Sequence, residues 1–184
     1  MNRLLAFYYG GYPDDRGRFL AEITRQDDLW LEVTHDYIQW LFPLREISKV
    51  VPSAPLVNKE VLEAFHQDDL LRKHLLASFI RMLSFYGLIR RNGEIEKGPN
   101  WAEKKDNWFT EGTHNDLRIT RILKCLSILG LRHEANQFLV CLEKLRTSEP
   151  DCGVSDTASS FGVMRFVTDL PNKSFQRTSK SCAF

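Results

Sequence analysis

At 184 residues, 43% of them hydrophobic and 27% charged, the chain has the size and composition of one folded globular domain, which excludes a wholly disordered or collagen-like protein. Lys and Arg number 25 against 24 Asp and Glu, so no global field draws the chain to nucleic acid or to an anionic membrane, and any charged site must be local.

In chain order, the opening apolar run stops at Gly10-Gly11, too short for a signal peptide. No stretch approaches the roughly 20 apolar residues of a membrane helix, so the expected location is the cytoplasm. Gly10, Gly11, Pro13, Asp14 and Asp15 spell a loop, and Phe19, Leu20 and Ile23 give a short helical stripe at which the domain proper is expected to start. The spacing from Leu29 to Phe42 predicts one continuous helix, stopped by Pro43 and apolar on all but one narrow arc.

Pro52 and Pro55 punctuate a loop, after which Asn58 is a cap for a helix carrying Val61, Leu62 and Phe65. Asp68 or Asp69 opens a long helix with Leu71, Leu75, Phe79, Met82 and Tyr86 on one face, and Gly87 suits its left-handed closing position. Asn92-Gly93, set between Leu88-Ile89-Arg90 and Glu94-Ile95-Glu96, predicts a small two-stranded hairpin near residues 88–96. Trp101 and Trp108 bracket a charged segment read as a short helix with both indoles turned inward.

Thr113 with Asp116 resembles a capping box for a helix from His114 to Leu129 ended by Gly130, and Ala135, Phe138, Leu139, Leu142 and Leu145 mark the last helix. The expected fold class is therefore all-α, a multi-helix orthogonal bundle over residues 1–148. A Ser/Thr-rich, loosely ordered tail follows over 149–184, with a weak apolar patch at 161–167 and late cations at Lys173, Arg177 and Lys180.

Two polar stripes stand out. On a helical wheel, Glu32, His35, Asp36 and Gln39 share an arc of roughly 100°, and His114, Arg118 and Arg121 share roughly 60° of the helix that begins at His114. Two largely apolar helices, one with an acidic stripe and one with a basic stripe, are expected to turn those stripes toward each other, since Arg forks match carboxylates. One reading is a structural ion-pair network that fixes helix register. The other is a cleft where His114, Arg118 and Arg121 hold an unknown small anionic ligand or peptide near a helix start.

The remaining constellations carry less. Glu32-x-x-His35 and Glu63-x-x-His66 have di-iron spacing but lack companion glutamates, so no metal is expected. Cys125, Cys141, Cys152 and Cys182 show no Cys-x-x-Cys spacing and read as reduced thiols. There is no Gly-x-Ser-x-Gly elbow and no phosphate-cradling loop, hence no expected catalytic nucleophile or cofactor. The aromatic residues sit at core spacing and are not interleaved with bases, so no nucleic-acid partner is expected.

Two segments are more specific. His35-Asp36-Tyr37-Ile38-Gln39-Trp40-Leu41-Phe42-Pro43-Leu44 and His114-Asn115-Asp116-Leu117-Arg118-Ile119-Thr120-Arg121-Ile122-Leu123, with Phe85-Tyr86-Gly87-Leu88 between them, resemble the signature blocks of the opioid growth factor receptor conserved-region family. The likeness runs from about Phe7 to Leu145. It implies an all-helical domain and, for animal members, binding of an enkephalin-type peptide; the compact length resembles bacterial relatives. The family brings no catalytic residues.

The first functional expectation is thus a non-catalytic binding or interaction module with Glu32, His35, Asp36, Gln39, His114, Asn115, Arg118 and Arg121 as candidate site residues. The alternative is an enzyme acting on an anionic substrate with His35 or His114 as acid or base. A third is a protein-contact role, with a homo-oligomer formed through an exposed apolar patch.

Overall fold

The computed structural model describes residues 2–109 and 113–149. The C-terminal tail, with Cys152, Cys182 and the 161–167 patch, lies outside the described residues. Within them the chain is an all-α bundle with one small antiparallel hairpin. No helix among the described residues is long and apolar enough to cross a membrane.

The first helix lies upstream of the Phe19–Ile23 stripe. Helix α1 (Arg3–Tyr8) is capped by Asn2, whose side chain accepts from the Leu4 amide. Its Leu4, Phe7 and Tyr8 are fully buried. The Tyr8 hydroxyl donates to the Leu41 carbonyl, and its ring packs edge-on against Phe65 at 4.9 Å. The opening apolar run is therefore core, packed against later helices.

Helix α2 (Leu20–Thr24) follows the loop, and then the expected continuous helix over 29–42 does not form. It is split into α3 (Asp28–Val33) and α4 (Ile38–Leu41), with Thr34 extended at φ −97°, ψ 127°. The break releases the backbone carbonyls of Glu32 and Thr34, and both accept from the distant Arg118 guanidinium at 3.3 and 2.9 Å. An unbroken helix would have spent those carbonyls on its own amides. Tyr37, fully buried inside the break, donates its hydroxyl to the Leu31 carbonyl at 3.2 Å.

The middle of the chain follows its signals closely. Asn58 Oδ1 accepts from the Val61 amide at 2.9 Å and opens α5 (Lys59–Gln67), and Asp68 accepts from the Leu70 amide at 2.8 Å and opens α6 (Asp69–Phe85). Leu71, Leu75, Phe79 and Met82 bury the inner face of α6 completely. Gly87 takes φ +73°, turning the chain into β1 (Leu88–Arg91), which pairs with β2 (Glu94–Lys97) through the Arg91 and Glu94 register. Asn92 and Gly93 both have positive φ, as the two-residue hairpin turn requires.

Helix α7 (Trp101–Lys104) places Trp101 and Trp108 edge to face at 5.9 Å, and the Trp108 indole N–H donates to the Tyr86 carbonyl at 2.9 Å. Helices α8 (His114–Ile128) and α9 (Arg132–Ser148) pack on each other across a turn at Gly130, φ +89°. Helix α8 starts where expected but without the capping box: Thr113 makes no side-chain cap bond, and its hydroxyl donates instead to the Trp108 carbonyl at 3.3 Å.

Candidate functional site

The first turns of α8 lie against the α3/α4 break, so the two signature blocks meet. Arg118, only 4% exposed, is the centre of the meeting. Its guanidinium reaches Glu32 Oε2 at 3.7 Å, donates to Asn115 Oδ1 at 3.3 Å and to the Glu32 and Thr34 carbonyls, and lies 3.1 Å from His35 Nδ1. It also sits 5.6 Å from the Tyr37 ring centre. A guanidinium can only donate, so this contact is a hydrogen bond only with His35 Nδ1 as the acceptor. Asn115, fully buried, donates to Glu32 Oε2 at 3.3 Å, which leaves the carboxylate held from two sides.

His114 completes the cluster. Its Nε2 is 3.1 Å from Glu32 Oε1, and its ring stands edge-on to His35 with centres 4.9 Å apart. Burial, reinforced by Arg118 and His35, holds the His114 imidazole below its ordinary value of 6.5 in spite of Glu32. The unfolded chain then binds more protons than the folded one as pH falls below about 6.5, so folding stability must fall over that window and level off below the depressed folded value. Chemical denaturation at pH 7.5 and pH 5.5 is expected to show this loss, and His114→Gln is expected to shrink it. An equal loss in parent and variant would refute the assignment.

The two stripes do not pair throughout. Asp36 turns away to Arg18 and Arg16, at 2.8 and 2.9 Å, and Arg18 also bridges the buried Asp14 at 2.6 Å. Against the opposing effect of burial, those two guanidinium groups hold the Asp36 carboxyl below its usual range. Arg121 meets no carboxylate at salt-bridge distance among the described residues; its Nη1 donates to the Phe42 carbonyl at 3.1 Å. Burial lowers its pKa, although a guanidinium still stays charged at neutral pH. Gln39 is 4% exposed and its Oε1 has no hydrogen-bond partner.

Arg121 and Gln39 both border a cleft of about 510 Å³ between α8 and the segment from α4 to Val50, within the roughly 300 to 1,000 Å³ usual for ligand sites. Ile38, Leu44, Val50 and Leu117 give it an apolar lining. Lys49, Arg118, Arg121 and Lys124 contribute cations and His35 and His114 contribute imidazoles, while no Asp or Glu lines it. A second cleft of about 910 Å³, bordered by Asp15, Arg16, Arg18, Asp36 and Trp40, meets the first at His35 and Val50. The sequence reading missed Lys49 and Lys124. Extending the wheel by one step would have found Lys124, which lies roughly 60° from Arg121; Lys49 sits in a loop that carries no periodic signal.

The two Glu-x-x-His pairs are far apart in role. Glu63 faces Lys59 at 3.7 Å and His66 bonds the Ile128 carbonyl at 3.1 Å. No group of three His, Cys, Asp or Glu side chains that could hold a metal ion forms among the described residues. Cys125 and Cys141 are buried free thiols inside helices; burial pushes Cys141 up to about 11 and Cys125 higher still, which removes both as nucleophiles at neutral pH.

Comparison with known proteins gives a family match described as the opioid growth factor receptor conserved region over residues 16–148. The chain is similar to mouse (Mus musculus) opioid growth factor receptor, 44% identical over 137 residues that make up 70% of this chain and 21% of that protein. The human (Homo sapiens) protein of the same name is 42% identical over 124 residues, 64% of this chain and 18% of the relative. Mouse opioid growth factor receptor-like protein 1 is 43% identical over 132 residues, 68% of this chain and 28% of the relative. The match thus spans less than a third of each relative. These relatives are animal proteins and lend no support to the bacterial-type likeness. No solved structure matches the chain.

Proposed function

This chain belongs to the opioid growth factor receptor conserved-region family, and from that premise we propose that it is a non-catalytic, cytoplasmic binding module whose ligand enters the basic cleft on α8. The observation that carries this reading is a lining with four cationic side chains and no carboxylate, in which Arg121 faces the cleft with only a backbone carbonyl as partner. A half-buried cation of that kind is poorly compensated, and an incoming anion supplies what is missing. Arg118, by contrast, is engaged by Glu32, Asn115 and backbone carbonyls, which supports an architectural role for it. Two of these relatives are named opioid growth factor receptor; carried over to this chain, that name makes a peptide the favoured kind of ligand and the basic cleft its anchoring point.

A thermal-shift panel of small carboxylates, capped peptides and inorganic phosphate tests the reading. A ligand at 100 times its dissociation constant should add about 2.7 kcal/mol to the parent. Arg121→Met should keep the unliganded stability within about 1 kcal/mol, because a lost hydrogen bond to Phe42 is offset by relief of a desolvated charge, and should abolish the ligand shift. A panel without any response, or an Arg121→Met protein that responds as the parent does, contradicts the proposal.

A second reading, acid–base chemistry on an anionic substrate, draws on both imidazoles bordering the same cleft. It requires turnover of the bound anion that disappears in His114→Gln while binding persists.

A further inference from the structure

We infer that the occupant of the basic cleft is an acidic internal segment of a partner protein, one side-chain carboxylate seated on Arg121 and apolar neighbours on Leu117 and Val50. The inference rests on the reading of that cleft as a binding site and names what fills it.

Charge sets the first requirement. With one guanidinium nitrogen already donating to the Phe42 carbonyl, the Arg121 fork has one remaining edge to offer, and a single planar carboxylate matches that edge. A phosphate dianion asks for several converging donors, whereas Lys124 is drawn toward Glu46 at 3.8 Å and Arg118 is already engaged.

Apolar surface sets the second. Leu117 is 63% exposed and Val50 65% exposed, and both line the cleft; Ile47, in the same loop as Val50, is 68% exposed. Large exposed aliphatic side chains lining a cleft around a charged centre are surface that a protein partner can cover. The ligand therefore carries aliphatic groups on either side of its carboxylate, which a free inorganic anion does not.

Hydrogen bonding sets the third. Gln39 is buried beside the same cleft with its Oε1 lacking a donor. Buried carbonyl oxygens are almost always bonded; the Gln39 side chain lines the cleft, and a turn of it toward the cleft offers this oxygen to a backbone N–H of an incoming chain. The choice of an internal segment over a chain end comes from the second cleft, which meets the first at His35 and the exposed Val50. A chain that crosses this junction continues into a larger cleft of mixed charge, bounded by Arg16 and Asp36; one that ended at Arg121 would leave that space unused.

The test uses the full chain and a display library of random dodecapeptides held between two carrier domains, so that no free terminus is presented. The expected result is enrichment of one Asp or Glu flanked by aliphatic residues. Binding of the best sequence should fall at least ten-fold when its acid is changed to the amide, in Arg121→Met, and in Leu117→Asp, whose exposed position makes it safe for folding and whose new carboxylate repels the ligand. Enrichment without an acidic position, or retained binding in all three changes, overturns the inference. If phosphate or acetate saturates the cleft while no embedded sequence is selected, the cleft is an anion site and the partner assignment alone fails. If neither the library nor the small anions bind, the cleft is no binding site and both readings fail together.

Discussion

Arg118→Ala is expected to lower the free energy of unfolding by about 2 to 4 kcal/mol, with a fall in melting temperature on the order of 5 to 15 °C. The change takes the guanidinium away from the Glu32 carboxylate, which keeps Asn115 and His114, and leaves the Thr34 and Glu32 carbonyls without the donor that the α3/α4 break turned them toward. Breaking a fully buried pair costs roughly 3 to 5 kcal/mol; the Glu32 side chain is 32% exposed, so water recovers part of that loss. Arg118→Lys should recover little, because one ammonium cannot serve Glu32, Asn115 and Thr34 at once. Equilibrium denaturation checks both variants, and a parental midpoint for Arg118→Ala would remove the arginine from the architecture.

The second large effect belongs to Gly87→Ala. At φ +73° an L side chain costs about 1 to 2 kcal/mol. A Cβ there would also stand 2.9 Å from the Lys104 Cβ and 3.1 Å from the Trp101 Cα, neither of them the free end of a flexible chain. The sum is a destabilisation of about 2 to 4 kcal/mol. It should appear first at the hairpin and α7, where hydrogen exchange of the Gly98 amide, bonded to the Gly87 carbonyl at 2.8 Å, reports it. Unchanged protection at Gly98 would show that the turn tolerates a side chain.

Those two residues also show what the sequence reveals and what it conceals. Gly87, Asn58, Asp68 and Asn92-Gly93 act within a few residues of themselves, through caps and turns, and local chemistry predicts them correctly. The α3/α4 break is different. A helical wheel over residues 29–42 sees only periodicity, whereas the Thr34 and Glu32 carbonyls at the end of α3 are claimed by a guanidinium 84 and 86 residues further along the chain. The same limit divides the candidate stripes. Glu32 and His35 do meet His114, Asn115 and Arg118, because the first turns of α8 lie against the α3/α4 break. Asp36 goes to Arg16 and Arg18, which lie in an irregular loop where no wheel could have placed them. With Asp36 taken elsewhere, Arg121 is left facing a cleft, and that outcome separates an arginine engaged by carboxylate, amide and carbonyl groups from the one proposed to take a ligand on the same helix.

That separation is the centre of the account, and nuclear magnetic resonance of the labelled chain tests it most directly. During titration with an acetyl- and amide-capped Leu-Asp-Leu tripeptide, the Arg121 Nε–H and the backbone amides of Leu117 and Thr120 are predicted to shift saturably, while the Arg118 Nε–H stays fixed. Saturable shifts centred on Arg118, or shifts scattered over exposed lysines with none at Arg121, would contradict it.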